Sequence, residues 1–420
     1  MDCGCPENQR MTRRGFLGRA AAVGAAGAFA GLAGEGLSTR LAFAATAYTG
    51  DTLVVLSLRG GFDGLSVVVP AGDPEYYRAR PTIGVPAAQL IGRDGIFGLH
   101  PALAPLLPFW QDGTFGAVHG VGQSNPTRSH FAALEEMERA APGTSLRTGW
   151  IDRVLGVRGT TGIFNGVAVG GSLAPQSMGG PSPELALGSI DGFELNGNSP
   201  DSPMAATLRR LYADAPPMVG APALGTLDAL GTTTALKEAG YTPANGAVYP
   251  DTELGRALRD VARLIKAKVG LQVACVDFGD WDMHEGLGKA ESGSWMHDHL
   301  GELAQALAAF AADLGPAGMA GVTLLTLSEF GRRVAENGSG GVDHGHGNAM
   351  LLLGGGVAGG RVHGRWGGLA PGNLDDGDLP GTTDYRAVIG EVLQRRCGVG
   401  SLAGVFPGVG AAGPGVVRAR

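Results

Sequence analysis

Four cysteines in 420 residues, two of them at positions 3 and 5, leave little from which to build a disulfide framework. Cys275 stands in an apolar run and Cys397 near the end of a helix-like segment, so both read as buried thiols. Runs of lysine and arginine are missing as well. The formal net charge is −7. Residues 1–44 hold five Lys/Arg and three Asp/Glu, and without them the chain has 27 basic and 36 acidic residues, a net of −9. Binding along a phosphate backbone needs a basic face, and its absence excludes nucleic acid as a partner. Past the N-terminal segment no stretch reaches the about 18 unbroken apolar residues of a membrane span, so the mature chain is expected to carry none.

What is abundant is glycine, 74 residues without a period, which argues against collagen and simple repeats and for many tight loops. Hydrophobic residues make up 44% of the chain, enough for a packed core under those loops. The N-terminus has its own pattern. Arg13–Arg14 precede Phe16 and Leu17, a weakly apolar Ala/Gly run follows, and "LAFAATA" offers small-residue cleavage points after Ala44 or Ala47. This is the layout of a twin-arginine export signal over residues 1–47. It implies passage through the twin-arginine translocase to the periplasm, cell wall or exterior, in a folded state and often around a cofactor.

Five short apolar, β-branched runs follow at 52–61, 115–122, 270–279, 321–331 and 348–356. Near-continuous apolar runs suit strands buried on both faces, as in a parallel sheet. Between them lie helix-periodic segments at 130–140, 253–269, 297–315 and 384–398. The alternation predicts an α/β fold: a doubly wound, mostly parallel sheet with helices on both faces, forming one domain over residues 48–410. Residues 172–250, rich in Pro, Gly, Ser and Thr, break the rhythm and are expected to form a loop-rich insertion or cap.

In such sheets chemistry collects where loops leave the carboxyl ends of strands. Polar residues gather there. "RGGFDG" brings Arg59 and Asp63, "QSNPTRSH" brings Ser124, Thr127, Arg128, Ser129 and His130, and "DFGDWDMHEG" brings Asp277, Asp280, Asp282 and His284. "SEFGRR" adds Ser328, Glu329 and Arg332, and "GGVDHGHG" places Asp343, His344 and His346 ahead of the fifth run. Carboxylates and imidazoles crowded on one rim repel unless a cation sits among them, and mixed Asp/His sets suit zinc, manganese and similar ions. The glycines around Asp343, His344 and His346 would let a ligand loop bend sharply and approach metal and substrate closely. Asp63, Asp282, His284, Asp343, His344 and His346 are the expected ligands of one or two divalent ions (zinc, manganese or calcium). Glu329 has three readings: ligand, carboxylate orienting a histidine, or partner of Arg332. Ser129 reads either as a nucleophile at the start of a helix or as its N-cap. Arg128 could grip a tetrahedral anion.

These segments together carry a resemblance. "RGGFDGL", "TRSHF", "WDMHEG", "SEFGRRVAENGSGGVDHGHGN", "GGGVAGGRVHGRW" and "TDYRAV", in this order behind a twin-arginine signal, resemble the exported bacterial domain-of-unknown-function family 1501, over roughly residues 50–400. That family is grouped with the alkaline phosphatase and sulfatase superfamily. The resemblance implies an alkaline-phosphatase-like parallel α/β sheet and cleavage of phosphate or sulfate esters with one or two metals and a nucleophile at a helix N-terminus. By position, Asp63 resembles the aspartate shared by metal and nucleophile, and Asp343–His344 the superfamily's Asp-His pair. Either Asp280 or Asp282, with His284, resembles the acid and histidine of the other metal site. "SNPTR" matches the Ser-x-Pro-x-Arg form of the sulfatase motif, which makes Ser124 an alternative to Ser129. The expected activity is hydrolysis of a small or envelope-derived ester by a metal-activated serine or water. The alternative is a non-catalytic exported binding protein for a cell-envelope or carbohydrate ligand.

Overall fold

The structure is a computed structural model that describes residues 48–171, 173–195, 200–410 and 413–420. Residues 1–47, expected to be an export signal, lie outside the described residues. The five apolar runs all form strands: β1 (Thr52–Leu58), β2 (Phe115–Gly122), β5 (Val273–Phe278), β6 (Val322–Leu327) and β7 (Asn348–Gly354). Shorter strands β3 (Gly166–Val169), β4 (Leu185–Leu187), β8 (Val362–His363) and β9 (Thr383–Asp384) complete a nine-stranded sheet. Its order is β8-β2-β7-β6-β1-β5-β3-β4, with β9 also pairing with β2.

β1 lies at the centre and pairs in parallel with both β5 and β6. Every residue of β1 is buried, and neighbours that point to opposite faces, such as Leu53 and Val54, are both fully inaccessible. The sheet is mixed and mostly parallel, an α/β fold. One strand runs against the rest of the core: β7 is antiparallel to both β6 and β2. A parallel neighbour requires a crossover, whereas residues 328–347 contain no helix and turn back along the same rim. The loop before β7 therefore sits at the rim where β1, β2, β5 and β6 end.

The anticipated helices are α2 (His130–Arg139), α4 (Glu253–Lys266), α5 (Trp295–Met319) and α6 (Tyr385–Arg395), joined by a short α1 (Gly64–Val67) and by α3 (Trp150–Val157). Local chemistry sets their ends. Thr252 caps α4 by accepting from Gly255 N, with Glu253 in the first turn and Arg263 and Lys266 in the last. α5 kinks at Gly315, whose φ is 64°, just before Pro316. One hydrophobic cluster joins Leu53, Val55, Val273 and Leu325 of the sheet to Trp150, Ile151 and Val154 of α3 and to Val388, Ile389 and Val392 of α6. Cys275 and Cys397 are free and buried.

Residues 190–240 form a separate compact unit, while 44–189 and 241–420 form the sheet-bearing one. Within the smaller unit, helices Pro203–Ala213 and Pro217–Ala239 are linked by an Arg209–Asp228 ion pair at 2.9 Å, and Leu227 and Leu230 pack with Phe193, Leu195 and Leu224. Part of the stretch 172–250, expected to be loop-rich, is thus helical. Among the described residues no helix is long and apolar enough to cross a membrane.

Candidate metal centre

Three side chains from three different connections meet at the rim. Asp282 comes from the loop after β5, His130 opens α2 after β2, and His344 comes from the loop before β7. His130 Nε2 lies 3.1 Å from His344 Nε2, and His344 Nε2 lies 3.0 Å from Asp282 Oδ1. Asp282 Oδ2 is 3.4 Å from His130 Nε2. A ligand atom from each of the three falls within 4.8 Å of the others. The buried Phe330 ring lies 4.8 Å from each imidazole, so the two histidines share an apolar floor.

The outer nitrogens decide what this convergence means. His344 Nδ1 lies 2.8 Å from the backbone oxygen of Arg128, which can only accept, so Nδ1 carries the proton. His130 Nδ1 lies 2.8 Å from Glu329 Oε1. That carboxylate also accepts from Gly60 N and from Ser328 Oγ. Both neutral rings are thus inferred to be Nδ1–H tautomers with bare Nε2 lone pairs aimed at each other and at a carboxylate. Three acceptors facing inward need a proton or a cation between them. Partial burial works to raise the Asp282 pKa, but the hydrogen bond and charge of the Arg332 guanidinium outweigh it and hold the carboxyl below the usual carboxylate value. The carboxylate is therefore charged at neutral pH. A dication bound by two imidazoles and one carboxylate fits this donor set, with Glu329 and the Arg128 carbonyl as the outer partners that orient such ligands.

The loop that brings His344 is fastened by backbone. Arg333 N donates to Asp343 O, Gly345 N to Gly331 O, and Gly331 N to His346 O. Two of its glycines are demanded by close approach: a Cβ at Gly341 would lie 2.1 Å from the His284 carbonyl carbon, and one at Gly345 would lie 2.4 Å from that of Arg332. These glycines let neighbouring backbone close in.

The structure distributes the other expected residues as follows. Asp282 rather than Asp280 joins the cluster; Asp280 is exposed. His284 stands at its edge, exposed, with Nδ1 3.2 Å from Asp282 Oδ1. Asp63 is not brought in, because both its oxygens receive N–H groups from Arg80. Burial alone would raise its pKa, but the Arg80 guanidinium holds it below the usual carboxylate value. Asp343 is exposed and accepts from Asn337 Nδ2 at 2.9 Å, turned from the imidazoles. His346 Nε2 is 2.9 Å from Gln123 O. Ser124 is exposed on the loop after β2. Ser129 occupies the N-cap position of α2, yet its hydroxyl makes no capping bond. Arg128 donates to Asp378 and Asp376.

His130 was the residue that sequence reading passed over as a ligand. Its one signal was an imidazole in a rim loop directly ahead of a helix. Of the three readings of Glu329, the structure shows the carboxylate beside a histidine ring.

Residues 236–386, which hold Asp282, Glu329 and His344 but not His130, match the family model described as a protein of unknown function (DUF1501). The match supports that family. No curated protein matches the chain.

Proposed function

We propose that this protein is an exported, metal-dependent hydrolase of phosphate or sulfate esters, with a fold of the alkaline phosphatase and sulfatase kind. The observation that carries the reading is the convergence of His130, His344 and Asp282 with no hydrogen available between the two bare Nε2 atoms in neutral rings. These three residues would hold a divalent cation, which supplies Lewis-acid polarisation of a phosphoryl or sulfuryl oxygen and a lowered pKa for an attacking oxygen. Two imidazole nitrogens favour zinc or manganese over calcium, which prefers oxygen throughout.

The chain's own residues supply the rest. Glu329 fixes the His130 tautomer and the Arg128 carbonyl that of His344, so both lone pairs are presented without reorganisation. Asp282 stays ionised through the physiological range. Ser129 sits exposed at the start of α2, next to His130 and beside the unpaired amides and positive dipole end of that helix, where an anionic group is favoured. Either its Oγ or a water forms the new bond to phosphorus or sulfur as the ester oxygen departs with a proton. Where serine attacks, water then breaks the serine ester and releases phosphate or sulfate. A non-catalytic exported binding protein is the second reading, favoured by the commitment of Asp63 to Arg80.

A panel of chromogenic phosphate and sulfate esters, assayed on chelator-stripped protein with zinc or manganese restored, tests the proposal. Turnover that depends on added metal and falls about 100-fold or more in Asp282→Asn is expected, in the range of a lost transition-state interaction. Absence of turnover with every ester and metal would overturn it in favour of the binding protein.

A further inference from the structure

Two arginines at the rim are buried to a degree unusual for the residue. Arg80 and Arg332 are each 1% exposed. Arg80 has all five of its N–H groups placed: on Val334 O, on Ser66 Oγ, on Arg333 O and on both oxygens of Asp63. Arg332 donates to the carbonyls of Gly60, Gly61, Trp281 and Val342 and, at 2.7 Å, to Asp282 Oδ1. Neither side chain can swing away without stranding a charge in the interior. Asp63, 3% exposed, is thus occupied by a guanidinium on both oxygens, and one oxygen of Asp282 is occupied by another. The Arg332 charge also acts on Asp63. A second dication near these two acids would meet fixed positive charge and would have to displace the buried, bidentate Arg80 bonds on Asp63 or the single Arg332 bond on Asp282. Asp343, the remaining acid expected to bind metal, points to Asn337 on the exposed side of its loop.

We infer that the centre takes one divalent transition-metal ion, held by His130, His344 and Asp282, and that the buried guanidiniums of Arg80 and Arg332 supply the fixed positive charge that a second ion would bring to Asp63 and Asp282. This rests on the metal reading above and deepens it. One ion and two organic cations divide the work: the ion reaches the exposed face of the cluster, and the arginines neutralise the acids behind it.

Calorimetric titration of chelator-stripped full chain with zinc, with metal counted independently by elemental analysis after dialysis, reads the stoichiometry directly. The expected result is one zinc per chain. His130→Gln is expected to weaken binding at least tenfold, while Asp63→Asn and Asp343→Asn leave both count and affinity within about threefold. Asp343 is exposed, so its variant remains informative where the buried Asp63 variant fails to fold. Two zinc ions per chain would overturn the inference while the metal reading stands, whereas a single site that Asp343→Asn abolishes and His130→Gln leaves intact would overturn both. No zinc bound to the wild type would overturn both.

Discussion

At the level of single residues the account turns on which nitrogen of each imidazole holds its proton. Glu329 sets that choice for His130, so Glu329→Gln, which keeps the shape and removes the charge, is expected to weaken zinc binding about 10–100-fold without unfolding the protein. Isothermal titration with a circular dichroism control checks it. Asp282 provides a second test. Its folded pKa lies below the ordinary value of about 3.9, so its bond to Arg332 contributes stability that is fully present above about pH 4 and lost as pH falls through the lowered folded value. The group is half-exposed, and solvent screening keeps the contribution modest. Carbon-detected NMR on the metal-free protein should find the Asp282 midpoint below about 3.9, and a midpoint at or above that value would remove the Arg332 bond from the account. The sequence made Asp282 and His344 legible through their density of acids and imidazoles. It hid His130, because a histidine after a serine at a helix start reads as capping chemistry. It also hid Arg80, whose partner Asp63 is 17 residues away and whose surroundings "YYRARP" carry no sign of burial.

Among elements, the decisive feature is the reversal of β7, which delivers His344 from a strand's beginning to the rim where other strands end. The loop that achieves this depends on backbone contact with the loop that carries Asp282 and His284. Val342 N donates to Met283 O, and Leu287 N to Gly340 O. Gly341→Ala would force a methyl to within 2.1 Å of the His284 carbonyl carbon, so the two loops must separate. A loss of about 1–3 kcal/mol in urea unfolding is expected, the range of overpacking, together with weaker zinc binding. An unchanged unfolding midpoint would contradict the loop contact. The apolar runs 52–61, 115–122, 270–279, 321–331 and 348–356 were readable as strands because burial on both faces leaves a continuous pattern. β3 and β4, four and three residues long, gave no pattern to read. The helix Pro217–Ala239 was obscured by glycine, threonine and an internal Pro222, with no polar face to mark its period.

For the whole molecule, the chain leaves the sheet-bearing unit after residue 189 and returns at 241. The return is fixed by one acid on α5. Asp313 accepts from Tyr241 Oη at 2.6 Å, Tyr249 Oη at 2.9 Å and Ala244 N at 2.6 Å, and it pairs with Lys266 of α4. Burial alone would raise its pKa, but Lys266 and the tyrosine hydroxyls hold it below the usual carboxylate value. Asp313→Ala is expected to destabilise the protein by about 2 kcal/mol, the scale of hydrogen bonds to a charged group. Hydrogen exchange should quicken in residues 241–250 before the sheet responds, and uniform exchange across the chain would contradict this anchoring role.

The central claim is that a cation joins His130, His344 and Asp282. Anomalous diffraction at the zinc edge, on crystals of chelator-stripped protein reloaded with zinc, tests it most directly. A single peak about 2.0–2.2 Å from His130 Nε2, His344 Nε2 and an Asp282 oxygen is the result expected for such ligands. A zinc-loaded crystal with no peak among these three residues, or with its peak on Asp63 or Asp343, would contradict the account.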